Sequence, residues 1–279
     1  MDSEIRSRRI NNHIALELFS PASREFLRMI AGSISSFNIQ ISPESHDEEI
    51  RKAFGRAYDN KSLERTIEDA LGLGCRRVDL FFMIGLPRQT PQSVQETIKY
   101  CETLLKEYTK NGSGRVHPYI SPLAPFLDPG SRAFENPQKY GYELFYKTLE
   151  EHRQALLAPS WKYMLNYETK WMSRDELVTS TYESALQLNR LKVRYGLLKQ
   201  KESQMIEARI KEAIRLIHRI DDILLIKNEQ VRENEMNRLR ARFSSLNNST
   251  ICKKKELRWP VASIRFNFPR VIWAALSRN

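Results

Sequence analysis

The sequence is short of the residues that announce most chemistries. It has three cysteines in 279 residues, Cys75, Cys101 and Cys252. An odd number at wide spacing builds no disulfide framework, so a reducing compartment, the cytoplasm, is the expectation. The five histidines, His13, His46, His117, His152 and His218, include no pair at metal-ligand spacing. There is no Gly-x-Ser-x-Gly, no Walker loop and no Rossmann fingerprint. No apolar run approaches the roughly 18 residues that span a bilayer. The stretch MDSEIRSRRINNH has no apolar core, so a signal peptide is not expected. Internal repeats and low-complexity segments are lacking too.

What is present describes a folded, basic protein. Hydrophobic residues make up 41% and charged residues 28%, a balance that supports a core rather than disorder. The length suits one domain with an extension. The net charge is +11 and is unevenly placed. From Leu246 onward, Lys253, Lys254, Lys255, Arg258, Arg265, Arg270 and Arg278 face a single acid, Glu256, a net of +6. Such a tail can bind nucleic acid or an anionic membrane surface. The plainer explanation is a solvated end, and nucleic acid is not the expected partner.

Up to about residue 160 the pattern alternates strand and helix. Strands are expected at His13 to Phe19, Phe37 to Ile41, Arg77 to Ile84 and Val116 to Ser121. The run RRVDLFFMI is too apolar for a half-exposed strand and reads as buried. Helices are expected at Ser23 to Ala31, Asp47 to Phe54, Ser62 to Leu71 and behind the Thr90-Pro91 cap, ended by Asn111-Gly112. This βα order argues a parallel sheet, open or barrel-like. From 161 to 245 the chain reads as a helical extension. Ser173 to Glu176 forms a capping box, Gly196 interrupts, and Ile206, Ile210, Ala213, Ile217 and Leu224 share a face. Packing within the protein explains that face more simply than a partner does. The basic segment 246–279 holds one candidate strand, Val261 to Phe268, and a Trp-containing segment, Val271 to Leu276.

In parallel α/β folds the ligand side is the C-terminal end of the strands. The second strand ends in ISPESHDEEI. Ser45 stands three residues before Glu48, which predicts a capping box, and Asp47–Arg51 and Glu48–Lys52 are i,i+4 pairs. Glu44 lies ahead of that cap and has no structural duty. A carboxylate there can accept hydrogen bonds from a ribose hydroxyl or an ammonium group. Gly85 ends the buried third strand, where it either admits a ligand close to the backbone or makes a tight turn.

Three segments in this order carry a resemblance: FNIQISPESHDEEIRK (37–52), LFFMIGLPRQT (80–90) and PYISPLAPFLDPGS (118–131). They resemble the later part of the radical S-adenosylmethionine (radical SAM) barrel, in the group that carries a cobalamin-binding domain ahead of it. WKYMLNYETKW (161–171) and the segment 182–196 look like that group's C-terminal extension. The resemblance implies an α/β fold, a partial TIM-like barrel of later strands over residues 1–160, followed by the helical extension. It implies S-adenosylmethionine and a 4Fe-4S cluster as cofactors, with cobalamin through a further N-terminal domain, and a 5′-deoxyadenosyl radical as the reactive species. By position, Ser42 and Glu44 would contact the polar part of S-adenosylmethionine, the backbone of Met83 to Gly85 would flank its adenine, and Tyr119 and Ser121 would line the cavity beside the last strand.

The sequence departs from that family in its cysteines. No C-x-x-x-C-x-x-C exists, so no residue here is expected to be a metal ligand or a catalytic group. The first barrel strands and any cobalamin domain would lie before Met1. Arg88 stands where related loops commonly have glycine. The expected partners are therefore a separate chain carrying the other half, or a second copy meeting an open barrel edge. An inactive fragment, a partner-binding remnant and a tail-mediated nucleic-acid or membrane-surface binder are the alternatives.

Overall fold

The computed structural model describes residues 13–109, 114–122 and 127–243. The expected helix stop at Asn111-Gly112, Cys252, the candidate strand 261–268, the segment 271–276 and the basic tail lie outside these residues. The elements of the first part are β1 (Ile14–Leu18), α1 (Arg24–Ser33), β2 (Phe37–Glu44), α2 (Glu48–Ala53), α3 (Asn60–Gly72), β3 (Val78–Ile84), α4 (Pro91–Tyr108) and β4 (Val116–Pro122). The four strands form one parallel sheet in the order β1-β2-β3-β4.

Each strand contributes alternate side chains to a single core. Phe37, Ile39 and Ile41 of β2, Val78, Leu80 and Phe82 of β3 and Val116 of β4 pack on Leu27 and Ile30 of α1, Leu63 and Ile67 of α3, and Ile98 and Leu104 of α4. Each such side chain fully removed from water contributes about 1.5–3 kcal/mol. All three helices thus cover the same face. Side chains two residues apart share a face, so the other face carries a polar row in register, Glu17, Gln40, Asp79 and His117. Phe81 beside Tyr119 and Met83 beside Ser121 continue it toward the strand ends.

Local sequence explains the helix starts. Ser23, Asp59, Thr90 and Ser173 each accept a backbone N–H in the first turn, which satisfies donors that have no intrahelical partner. The expected capping boxes at 173–176 and the Thr90-Pro91 start form as read. The one expected at Ser45 does not. Asp47 caps α2 instead, accepting from Glu49 and Ile50. Ser45 turns its hydroxyl to the Asp47 N–H at 3.1 Å. An aspartate one residue before the helix competes better for those donors than a serine three residues away.

The second part of the chain is built from α5 (Arg132–Glu135), α6 (Pro137–Tyr140), β5 (Tyr142–Leu144), α7 (Leu149–Ala155), β6 (Tyr167–Thr169), α8 (Arg174–Arg194), α9 (Gln200–Leu224) and α10 (Glu229–Phe243). The antiparallel pair β5-β6 was not foreseen, since three-residue strands are too short to show alternation. It closes a second core with Ile84, Val94, Leu165, Met172, Leu177 and Val178 at the end of β3. The helix α8 runs beside β4 and α4. Leu188 and Leu191 enter the first core, Gln187 donates to Gln95 at 2.6 Å, and Arg194 pairs with Glu102. Two compact units divide the chain, 1–218 and 219–279. Within the second, Ile220, Ile223 and Met236 are buried and Arg219 pairs with Glu235 at 3.0 Å. Leu224, expected on the apolar face, is exposed, because Ile220 and Ile223 take the inner positions.

Cys75 and Cys101 are fully buried in the first core. Burial pushes both thiols up, Cys101 to about 12 and Cys75 by the same cause against weaker hydrogen bonds. Thiolate is the reactive form. In the native protein at pH 8, iodoacetamide should therefore leave Cys75 and Cys101 unmodified, as read by peptide mass spectrometry, and should label both after denaturation. Rapid native labelling of either places it outside the core.

Candidate functional site

The C-terminal ends of the strands meet the connection between β2 and α3, residues 44–60 with the short helix α2 inside it, that two arginines hold in place. β2 carries one extra residue against β3. Ile41 pairs with Leu80, but Glu44 pairs with Phe82. This bulge bends the strand and re-aims the residues beyond it. Glu44 emerges with φ +68°, a left-handed conformation that costs a non-glycine residue about 1–2 kcal/mol. Its carboxyl is 2% exposed. Oε1 accepts a hydrogen bond from Arg56 Nη2 at 3.1 Å, while Oε2 is buried without a partner among the described residues. Burial pushes the Glu44 carboxyl above its ordinary range. Arg56 opposes that shift and the nearby Glu17 carboxylate adds to it.

Arg56 spans from β2 to the end of β1. Its Nη1 donates to the Phe19 carbonyl at 3.3 Å and its guanidinium lies 4.6 Å from the centre of the Phe19 ring. Arg51 is the deeper of the two, with 0% exposure. It donates from Nε and Nη2 to the Ser45 carbonyl at 3.0 and 2.8 Å, from Nη1 to the Tyr58 carbonyl at 2.8 Å and to the Asn60 side chain. It also stacks over the Tyr58 ring at 4.7 Å. The helical spacing assigned Arg51 to a surface pair with Asp47. The structure corrects this: the planar fork of five donors turns inward to buried carbonyls, and the Asp47 carboxylate is taken by the helix cap. No periodicity marks Arg56, and it was missed.

The other expected residues separate into two groups. Ser42 and Glu44, both buried, lie with Met83 and Ser121 at the same edge of the sheet. Gly85 closes that edge with φ +100°, and a Cβ there would stand 2.7 Å from the Tyr167 hydroxyl. The backbone is already engaged. The Gly85 N–H donates to Gln89 Oε1 at 2.7 Å, its carbonyl accepts from Tyr142 at 3.0 Å, and the Met83 carbonyl accepts from Gln89 Nε2 at 2.9 Å. The positive φ and the close approach of the Tyr167 ring are thus what require glycine here. Arg88, in the same loop, has φ +67°, a backbone state glycine adopts without strain. Tyr119 sits two residues below Ser121 on β4, where Arg77 donates to its hydroxyl.

Among the described residues no group of three or more His, Cys, Asp and Glu side chains could hold a metal ion. What the strand ends can do is bind. The free oxygen of Glu44 accepts a hydrogen bond from an ammonium or hydroxyl, or donates one when protonated.

A carboxyl that burial pushes up is charged at a cost to folding. Between its unfolded and folded pKa the folded state holds more protons, so stability falls as pH rises through that window. Glu44→Gln keeps an acceptor for Arg56 and removes the charge. Chemical denaturation should find this variant more stable than the parent at pH 7, with the gap shrinking toward pH 4. A variant less stable at pH 7 gives the carboxylate a structural role.

No family model matches the chain. An 87-residue stretch, 31% of this chain, is 26% identical to an uncharacterized protein of Methanocaldococcus jannaschii, of which it covers 18%. The similarity is partial on both sides, and that protein's name states no activity.

Proposed function

We propose that this chain supplies the later part of a radical SAM barrel and binds S-adenosylmethionine at the C-terminal edge of its sheet, with Glu44 accepting from the ammonium or ribose hydroxyls and Ser42 beside it. The observation that carries this is the buried Glu44 carboxyl, held at a strained backbone position with one oxygen left without a partner. Buried polar atoms are rarely left so, and strain of this kind gathers at ligand sites. The winding supports the same reading. Four parallel strands in sequential order with α1, α3 and α4 on one face have the winding that a segment of barrel wall would have. A doubly wound sheet reverses its order and places helices on both faces. In a barrel, the row Glu17, Gln40, Asp79 and His117 would face the interior.

The residues of this chain do not fit a 4Fe-4S cluster. Two of the three cysteines are core thiols and the sequence has no cluster-binding loop. In this proposal the cluster, and the electron that cleaves S-adenosylmethionine, come with a separate polypeptide. The outer edge of β1, which pairs with no other described strand, is where that polypeptide would add its strand, since an open parallel edge presents unpaired backbone groups. This chain's own work is to orient the nucleoside and amino-acid parts and to exclude water from them. A binding remnant without catalysis would keep the same residues and differ only in never gaining a cluster.

Calorimetric titration of S-adenosylmethionine into the full chain tests the binding step. Saturable binding is expected, weakened by about tenfold in Glu44→Gln, which corresponds to about 1.4 kcal/mol. Absence of binding, or equal affinity in the variant, rejects the assignment.

A further inference from the structure

The β3–β4 half of the polar sheet face holds a cation with no carboxylate in contact. Lys192, near the end of α8, reaches across the edge strand, and its Nζ stands 4.0 Å from the centre of the Tyr119 ring. That ring stacks on Phe81 at 5.2 Å and its hydroxyl is taken by Arg77. Arg77 in turn holds Asp79, Nε to Oδ1 at 2.6 Å. The one carboxylate on this half of the face is thus committed to Arg77. His117, beside Asp79 in register, has its Nε2 2.8 Å from the Gly114 carbonyl and is biased toward the neutral form by burial and by Arg77.

Among the described residues the Lys192 ammonium makes no ion pair and no hydrogen bond; its close contact is the face of an aromatic ring, with the Asp79 carboxylate acting on it from a greater distance. Burial lowers the ammonium to about 8, with Cys101 and Asp79 opposing and Arg77 adding to the shift. A partly desolvated ammonium is costly unless an anion meets it. The other half of the face has the opposite sign, since the Glu17 carboxylate acts on Glu44 and Glu44 alone is seen to pair with Arg56. Charge on the face therefore runs from negative at β1–β2 to positive at β4. Ser121, an exposed residue two positions beyond Tyr119 on the same side of β4, offers a hydrogen-bond donor further along that strand.

We propose that Lys192, aided by Ser121, seats an oxyanion of the molecule bound on this face, a carboxylate or a phosphate ester. This rests on the reading that the strand ends are a ligand site, and it adds that the second ligand beside S-adenosylmethionine is anionic. Placing that anion against β4 keeps it away from Glu44 and Glu17.

The test follows the Lys192 side-chain resonances by NMR in the full chain, assigned through their loss in Lys192→Arg. Inorganic phosphate and acetate are titrated separately at constant ionic strength. A saturable shift confined to Lys192 is expected with at least one of them. Phosphate alone assigns a phosphate ester, acetate alone a carboxylate, and both a general oxyanion seat. Read instead through the Ser121 backbone amide, Lys192→Arg should keep anion binding, while Lys192→Met should weaken it by about tenfold and leave S-adenosylmethionine affinity unchanged. A small unsaturated drift common to all lysines, or unchanged anion affinity in Lys192→Met, overturns the proposal. If Lys192 responds but S-adenosylmethionine does not bind, the oxyanion seat stands and the radical SAM reading falls. If S-adenosylmethionine binds through Glu44 and Lys192 stays silent, the reverse holds.

Discussion

The candidate site depends on a buried guanidinium. Arg51 contributes nothing to a ligand, yet its donors tie the Ser45 and Tyr58 carbonyls and the Asn60 side chain into one frame. The turns on either side of α2 would otherwise carry buried backbone acceptors without donors. With the frame fixed, the bulge at Ile41/Glu44 can hold Glu44 in a left-handed conformation. The Glu44 carboxyl is then the group left over, paired on one oxygen and free on the other. Rigidity comes from Arg51 and the strained, incompletely satisfied contact is confined to Glu44. A binding site needs this separation, because unsatisfied chemistry survives only where the surrounding structure over-determines it.

Much of the sheet was legible in the sequence. The apolar alternation of Phe37, Ile39 and Ile41 and the continuous run from Val78 to Ile84 fix buried strands. Ser23, Thr90 and Ser173 announce helix starts through local hydrogen bonding that needs no tertiary partner. The expectation of a parallel α/β sheet holds; a closed barrel is not formed by the four strands, and their barrel kinship is part of the proposal. What could not be read were features that exist only through distant partners. β2 extends to Glu44 because a bulge lets it keep pairing with β3. Gly85 is fixed by Tyr142 and Tyr167, more than fifty residues away. Arg51 has the helical spacing of a surface pair, and only the fold reveals its burial. Lys192 reads as an ordinary helix lysine until α8 is seen to lie along β4.

The two faces of the sheet divide the protein's labour. One buries aliphatic side chains under α1, α3 and α4 and supplies the cohesion. The other carries acids on β1 and β2, the Arg77–Asp79 pair on β3 and the Lys192 cation beside β4. No helix among the described residues is long and apolar enough to cross a membrane. In the proposed site, the charge gradient of the polar face and the unpaired Glu44 oxygen would suit a small ligand with donors at one end and an anion at the other.

The most direct measurement is a site-resolved titration of the Glu44 carboxyl by 13C NMR, with and without S-adenosylmethionine. In the free protein Glu44 should titrate above the usual glutamate value of about 4.3, because burial disfavours its charge. Donors from the ligand favour the charged form, so the midpoint should fall on binding. A Glu44 that titrates with the exposed glutamates, or whose midpoint ignores the ligand, contradicts a ligand-facing role for this residue.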